Sequence, residues 1–91
     1  MTRKELVAEM ARKSGLAKKD AEKALDAFIE AVSGSLQKGE SVQLIGFGTF
    51  EVRQRAARDG KNPRTGETIH LPAARVPAFK AGKALRDRVD Q

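Results

Sequence analysis

Apolar positions follow a helical period through the first third of the chain and then switch to alternation. Leu6, Val7, Met10 and Ala11 recur at helical spacing and predict a helix over 3–13. Thr2 and Glu5 fit a capping box at its start, and Ser14-Gly15 supplies its stop, because glycine readily takes the left-handed conformation that closes a helix. A second stripe is longer: Ala21, Ala24, Leu25, Phe28, Ile29, Val32 and Leu36, with Lys19, Asp20, Glu22, Lys23, Asp26 and Glu30 between them. This is an amphipathic helix ended by Gly39. Ala17 stands near its N-cap, where an oxygen-bearing side chain would be better by about 1 kcal/mol, and Asp20 partly compensates through the helix dipole.

From Ser41 the period is two. Val42 and Leu44 alternate with Ser41 and Gln43, Gly46-Phe47-Gly48 permits a tight turn, and residues 49–53 form a second strand, so the segment predicts a hairpin. Residues 54–75 hold few large apolar side chains and no Phe, and their centre, Gly60-Lys61-Asn62-Pro63-Arg64-Thr65-Gly66, marks a reversal. About nine extended residues on each side, at about 3.3 Å apiece, give a two-stranded ribbon reaching roughly 30 Å. Such a length is unusual for a plain connector. Residues 76–79 return as a short strand, Pro77 favouring a sheet edge, and residues 83–89 after Gly82 predict a short C-terminal helix. The pattern is α+β, in a single domain over 1–91 with a body of 1–53 and 76–91 and an arm of 54–75.

Charge sharpens this picture. The chain carries a formal net charge of +6, and residues 51–91 hold 10 Lys/Arg against 5 Asp/Glu, a net of +5. A basic surplus gathered in one half is the electrostatic footprint of a protein that meets a polyanion. Cysteine is absent, so neither disulfides nor a thiolate metal site can support a domain this small, and a large oligomer interface is the remaining route. No run approaches the length of a membrane span, and the N-terminus lacks the apolar core of a signal peptide; a cytoplasmic location is expected.

Catalysis finds little support. His70 is the one histidine and falls on the predicted arm, where a solvated strand side chain is the simpler account. One histidine without thiolates does not suit zinc, and Gly46-Phe47-Gly48 lacks the third glycine and the following helix of a nucleotide-binding loop. No catalytic residue, metal or cofactor is expected. Phe28, Phe47, Phe50 and Phe79 are expected in core packing, partly against a second subunit, ahead of base stacking.

The binding chemistry gathers on the arm. Arg53, Arg55, Arg58, Lys61, Arg64 and Arg75 are set against Asp59 and Glu67. Arg53 and Arg55 share a strand face. A turn centred on Pro63-Arg64 would set Arg75 roughly opposite Arg53, an unfavourable pairing of like charges unless phosphates lie between them. Lys80, Lys83 and Arg86 extend the basic surface. Pro63, compact and without an N–H, either shapes the turn or wedges between base pairs in a minor groove, at a cost of a few kcal/mol per unstacked step.

Gly46-Phe47-Gly48-Thr49-Phe50, the segment from Gly60 to Gly66, Val76-Pro77-Ala78-Phe79 and Gly82-Lys83-Ala84-Leu85 closely resemble the HU family of bacterial histone-like proteins, in order and with matching spacing. The resemblance covers essentially the whole chain. It implies an intertwined homodimer with a helical base and two β-arms that embrace DNA, with Pro63 intercalating and nucleoid association in a bacterial cytoplasm. It also implies phosphate or groove contacts by Arg53, Arg55, Arg58, Lys61, Asn62, Arg64, Arg75, Lys80, Lys83 and Arg86, with Arg3 as a flank contact. Two positions depart from the family pattern: Ala17 replaces a hydroxyl residue, and Lys61 stands where arginine is common, exchanging a forked contact for a point charge. The implied function is DNA bending and compaction without strong sequence preference. A sequence-specific factor of the integration host factor type, a helical oligomerisation module without nucleic acid, a heterodimer with a paralogue, and RNA as partner stay open.

Overall fold

The protein is described by a computed structural model covering residues 1–91. Its elements run α1 (Arg3–Ser14), α2 (Lys18–Gln37), β1 (Val42–Leu44), β2 (Gly48–Arg55), β3 (Arg58–Lys61), β4 (Thr68–Leu71), β5 (Ala74–Ala81) and α3 (Lys83–Val89). The chain divides into two compact units, Met1–Gly34 and Ser35–Gln91.

In the first unit the Thr2 hydroxyl oxygen accepts from the Glu5 backbone N–H at 3.2 Å, as a capping box requires. The reciprocal half differs: the Glu5 carboxylate accepts a hydrogen bond from the Thr2 hydroxyl at 3.3 Å, not from a backbone N–H. The helix runs one residue past its predicted end, to Ser14, whose hydroxyl donates back to the Met10 carbonyl at 2.7 Å. Gly15, at φ 79°, then closes it by donating its N–H to the Ala11 carbonyl. Val7, Ala21 and Leu25 are buried together, with Met10 and Ala11 packed against them, so the two apolar stripes meet as their spacing predicts. Arg12 hydrogen-bonds Glu9 and holds that carboxyl below the ordinary carboxylate range.

In the second unit α2 ends in a Schellman motif. Glu40 donates to the Ser35 carbonyl at 3.0 Å and Gly39, at φ 81°, to that of Leu36 at 2.9 Å. A three-stranded antiparallel sheet follows in the order β1-β2-β5, and β3 and β4 form a separate two-stranded ribbon. Pro77 lies on the edge strand β5, opposite Val52, as proline in a sheet requires. The pairing of β2 with β5 runs from Gly48↔Ala81 to Arg55↔Ala74, so positions 54–55 and 74–75 of the predicted arm are rungs of the sheet. Ribbon pairing resumes at Arg58↔Leu71 in the same register. The ladder lapses between them at Ala56-Ala57 and Pro72-Ala73, where Pro72 offers no N–H.

The sheet is two-faced. Val42, Leu44, Phe50, Val52, Pro77 and Phe79 fall on one side by register. There Phe79 packs between Phe50 and Phe47, at ring-centre distances of 4.8 and 5.3 Å. Yet only Val7, Ala21 and Leu25 in the whole chain are buried apolar residues, whereas eleven large ones, among them Phe47, Val76 and Phe79, are exposed. One copy of the chain therefore leaves many large apolar side chains in water.

Candidate nucleic-acid interface

The other side of the sheet carries the charge. Alternation along β2 and β5 places Glu51, Arg53 and Arg55 beside Ala74, Val76, Ala78 and Lys80. Arg53 and Arg55 share a face, as their spacing predicts. Arg53 is not wholly available, since its guanidinium donates to the Glu51 carboxylate at 3.0 and 3.2 Å. The sequence shows this partner only as an i, i+2 neighbour, a spacing that acquires meaning once the strand is known.

Arg75 departs from expectation. It pairs with Gln54, while Arg53 faces Val76. A register shifted by one residue moves a side chain to the opposite face, so Arg75 stands on the apolar side and the expected clash of like charges does not arise. At the ribbon tip Asn62 donates its N–H to the Glu67 carbonyl, which centres the turn between Arg64 and Thr65. A turn centred between two residues pairs odd-numbered with even-numbered positions, so Arg53 and Arg75 cannot face each other. The Arg75 guanidinium donates to the carbonyls of Leu36 and Gln37 at 3.2 and 3.1 Å.

Within the ribbon, Arg58 and Gly60 share a face with Ile69 and Leu71, while Asp59 and Lys61 share the other with Thr68 and His70. His70 is exposed and sits 3.3 Å from Asp59 directly across the strand pair, a partnership that needs the register to be seen. It remains a solvated strand histidine with no nucleophile beside it. The tip is stitched internally. Asn62 accepts the Arg64 N–H on its side-chain oxygen at 2.8 Å, an Asx turn, and Gly66, at φ 74°, donates to the Asn62 carbonyl. Asn62 thus builds the turn that presents Pro63 and Arg64, both exposed.

Lys83 is tied to Asp87 on α3 at 2.6 Å, one turn along the helix, and Arg3 pairs with Asp26 in the helical unit. Arg55, Arg58, Lys61, Arg64, Lys80 and Arg86 form no ion pair within the chain. A cleft of about 600 Å³ in the helical unit is lined by Arg3, Lys4 and Lys18 together with Glu5 and Glu22; its mixed charges do not define an anion site. No group of His, Cys, Asp and Glu has metal-binding geometry, and no helix is long and apolar enough to cross a membrane.

An α+β chain with a solvent-exposed cationic β-ribbon, stitched at its tip to display a proline and an arginine, defines a nucleic-acid-binding protein of the architectural class. The comparisons are specific: the model of the family described as bacterial DNA-binding protein matches residues 1–90, and the chain belongs to this family, that of HU. The DNA-binding protein HU of Clostridium pasteurianum is 60% identical over 91 residues, 100% of both chains. That of Lactococcus lactis subsp. lactis is 64% identical over 87 residues, 96% of each. Among solved structures, the Anabaena HU–DNA cocrystal structure superposes with a TM-score of 0.90 at 46% identity, covering 98% of this chain and 97% of the other. HU from Thermotoga maritima gives 0.71 at 38% identity, covering 98% of both chains.

Proposed function

We propose that this chain is a histone-like architectural protein that binds double-stranded DNA largely without sequence preference, laying its ribbon in the minor groove and bending the duplex. The observation that carries the reading is the ribbon itself. Residues 58–71 pair only with one another, stay almost wholly solvent-exposed, and display unpaired cations around an exposed Pro63. A segment folded back into the protein would not be available to a duplex. Arg53, Arg55, Arg58, Lys61, Arg64, Lys80, Lys83 and Arg86 meet phosphates or groove edges, Asn62 holds the tip, and Pro63 opens a base step. Phosphate contacts of this kind carry little sequence information, which fits a protein that packages DNA. The kinship with HU proteins, one of them solved with DNA, supports the same reading.

The chain works as one module over 1–91 and as an intertwined homodimer. The support is the apolar surface left in water on a single copy, including the Phe47–Phe79 cluster. A second copy covering that surface would also set two ribbons on one duplex. Pairing with a paralogous chain would cover the same surface. The cationic ribbon would also attract RNA phosphates, but an A-form groove suits it less well. Nucleoid association follows from DNA binding.

A salt titration of affinity for a short duplex tests the proposal. Six to ten neutralised phosphates imply a fall of about 10³–10⁵ between 50 and 200 mM salt. Arg55→Glu combined with Arg58→Glu should remove most of the affinity while the dimer persists. A flat salt response, or unchanged binding by that double variant, would favour the oligomerisation module. Competition with unrelated DNA separates the two DNA-binding alternatives: it displaces a general binder and leaves a site-specific one in place.

A further inference from the structure

We infer that Arg75 is a positioning residue that fixes the root of the ribbon to the end of α2, and that it makes no phosphate contact. This rests on the DNA-binding reading only for its consequences on DNA. Three observations carry it. By register, Arg75 stands on the apolar side of the sheet with Pro77 and Phe79, across from Gln54, while Arg53, Arg55 and Lys80 occupy the other side. Its guanidinium is already engaged by the carbonyls of Leu36 and Gln37. Finally, the last turn of α2 contains no basic residue.

The chemistry explains why an arginine is suited to this place. The Schellman closure uses the carbonyls of Ser35 and Leu36 but leaves that of Gln37 without a backbone donor. Unsatisfied carbonyls give a helix C-terminus its partial negative charge, and a cation there is favourable. Arg75 supplies that cation from a strand distant in sequence, and its Nη2 atom bonds two successive carbonyls. The approach is close: a Cβ built on Gly39 would lie 3.4 Å from Arg75 Nη2.

The position on the strand turns a cap into a positioning device. Arg75 is the second residue of β5, immediately after the lapse at Pro72-Ala73. Across that lapse the ribbon is joined to the sheet without ladder hydrogen bonds, so its direction depends on how firmly the last rungs of the sheet are held. Arg75 anchors those rungs, Gln54↔Arg75 and Arg55↔Ala74, to the end of α2.

The test compares the wild-type protein with Arg75→Met, Arg75→Gln and, as a reference for a phosphate contact, Arg55→Met. Each is titrated on a 20-base-pair duplex over a series of salt concentrations. Backbone amide exchange at Gly39 and Glu40 is measured without DNA. Arg55→Met should lower the slope of log affinity against log salt by about 0.9, the value of one phosphate contact. Arg75→Met should leave the slope unchanged and displace the line in parallel to weaker binding. It should also speed exchange at Gly39 and Glu40 by about two- to fivefold, the factor a cation supplies at a helix C-terminus. Arg75→Gln keeps an N–H donor without the charge, and should fall between the two on exchange; it also serves if Arg75→Met does not fold. A slope reduced by about one unit in the Arg75 variants overturns the inference, as does unchanged exchange. A titration line superimposed on that of the wild type reduces Arg75 to a structural cap and overturns the positioning role. If wild-type affinity proves insensitive to salt, the DNA-binding reading fails, and the exchange measurement still decides the cap.

Discussion

Gly48→Ala probes the junction that holds the turn, the sheet and the aromatic cluster together. Gly48 opens β2, is buried, and pairs with Leu44 on one side and Ala81 on the other. A Cβ added there would lie 2.5 Å from Phe79 Cζ, 2.7 Å from Phe79 Cε1 and 2.6 Å from the Lys80 carbonyl oxygen. The ring could swing only by disturbing its contacts with Phe47 and Phe50, and the carbonyl belongs to the paired strand. Overpacking of this kind costs about 1–3 kcal/mol. At about 4–8 °C per kcal/mol for a domain of 60–100 residues, Tm should fall by roughly 4–24 °C. Thermal unfolding by far-ultraviolet circular dichroism measures it, at fixed protein concentration because association shifts apparent stability. The phenylalanine bands should change as well, since Phe is the only aromatic residue type present besides His70. Gly34→Ala is the natural contrast: within α2, with nothing within 4 Å of its added Cβ, it should raise stability by about 0.5–1 kcal/mol. Gly48→Ala with an unaltered Tm would refute the packing argument.

Three other outcomes are expected. Glu51→Gln releases Arg53 from its carboxylate partner, so DNA affinity should rise and its salt slope steepen by up to about one contact, read by fluorescence anisotropy on a labelled duplex. Pro63→Ala should weaken binding modestly and bending more, because phosphate contacts survive while the wedge is lost; paired affinity and bend measurements would show an equal effect on both if the proline only shapes the turn. For Glu9, whose folded carboxyl is held low by Arg12, the stabilising contribution is present above the ordinary carboxylate pKa and is lost as pH falls through the lowered value. Glu9→Gln should therefore flatten the acid limb of stability against pH in acid-unfolding curves.

The helices were legible because their signals are local. The Thr2 cap, the Gly15 stop and the apolar stripe through Leu25 each specify geometry within a few residues. The cationic ribbon was legible for the same reason: composition and the Gly60–Gly66 segment mark it without tertiary information. Register was not. The turn centre lies one residue beyond Pro63-Arg64 because Asn62 and Glu67 close it, and the pairing that follows sets Arg75 against Gln54, on the face away from Arg53. Side-chain partnerships were hidden in turn: Glu51 with Arg53, Asp59 with His70, and Arg75 with the end of α2 depend on strand pairing or on contacts dozens of residues apart. Of the four phenylalanines expected in core packing, Phe47, Phe50 and Phe79 do form one ring cluster, yet Phe28, Phe47 and Phe79 are exposed in a single chain.

Fluorescence energy transfer between dyes on the two ends of a short duplex, recorded at saturating protein, addresses the bending ribbon itself. The wild-type protein should draw the ends together, and a variant with the tip residues 62–66 replaced by a short glycine turn should bind without doing so. Ends that stay as far apart in the saturated wild-type complex as in free DNA would contradict it.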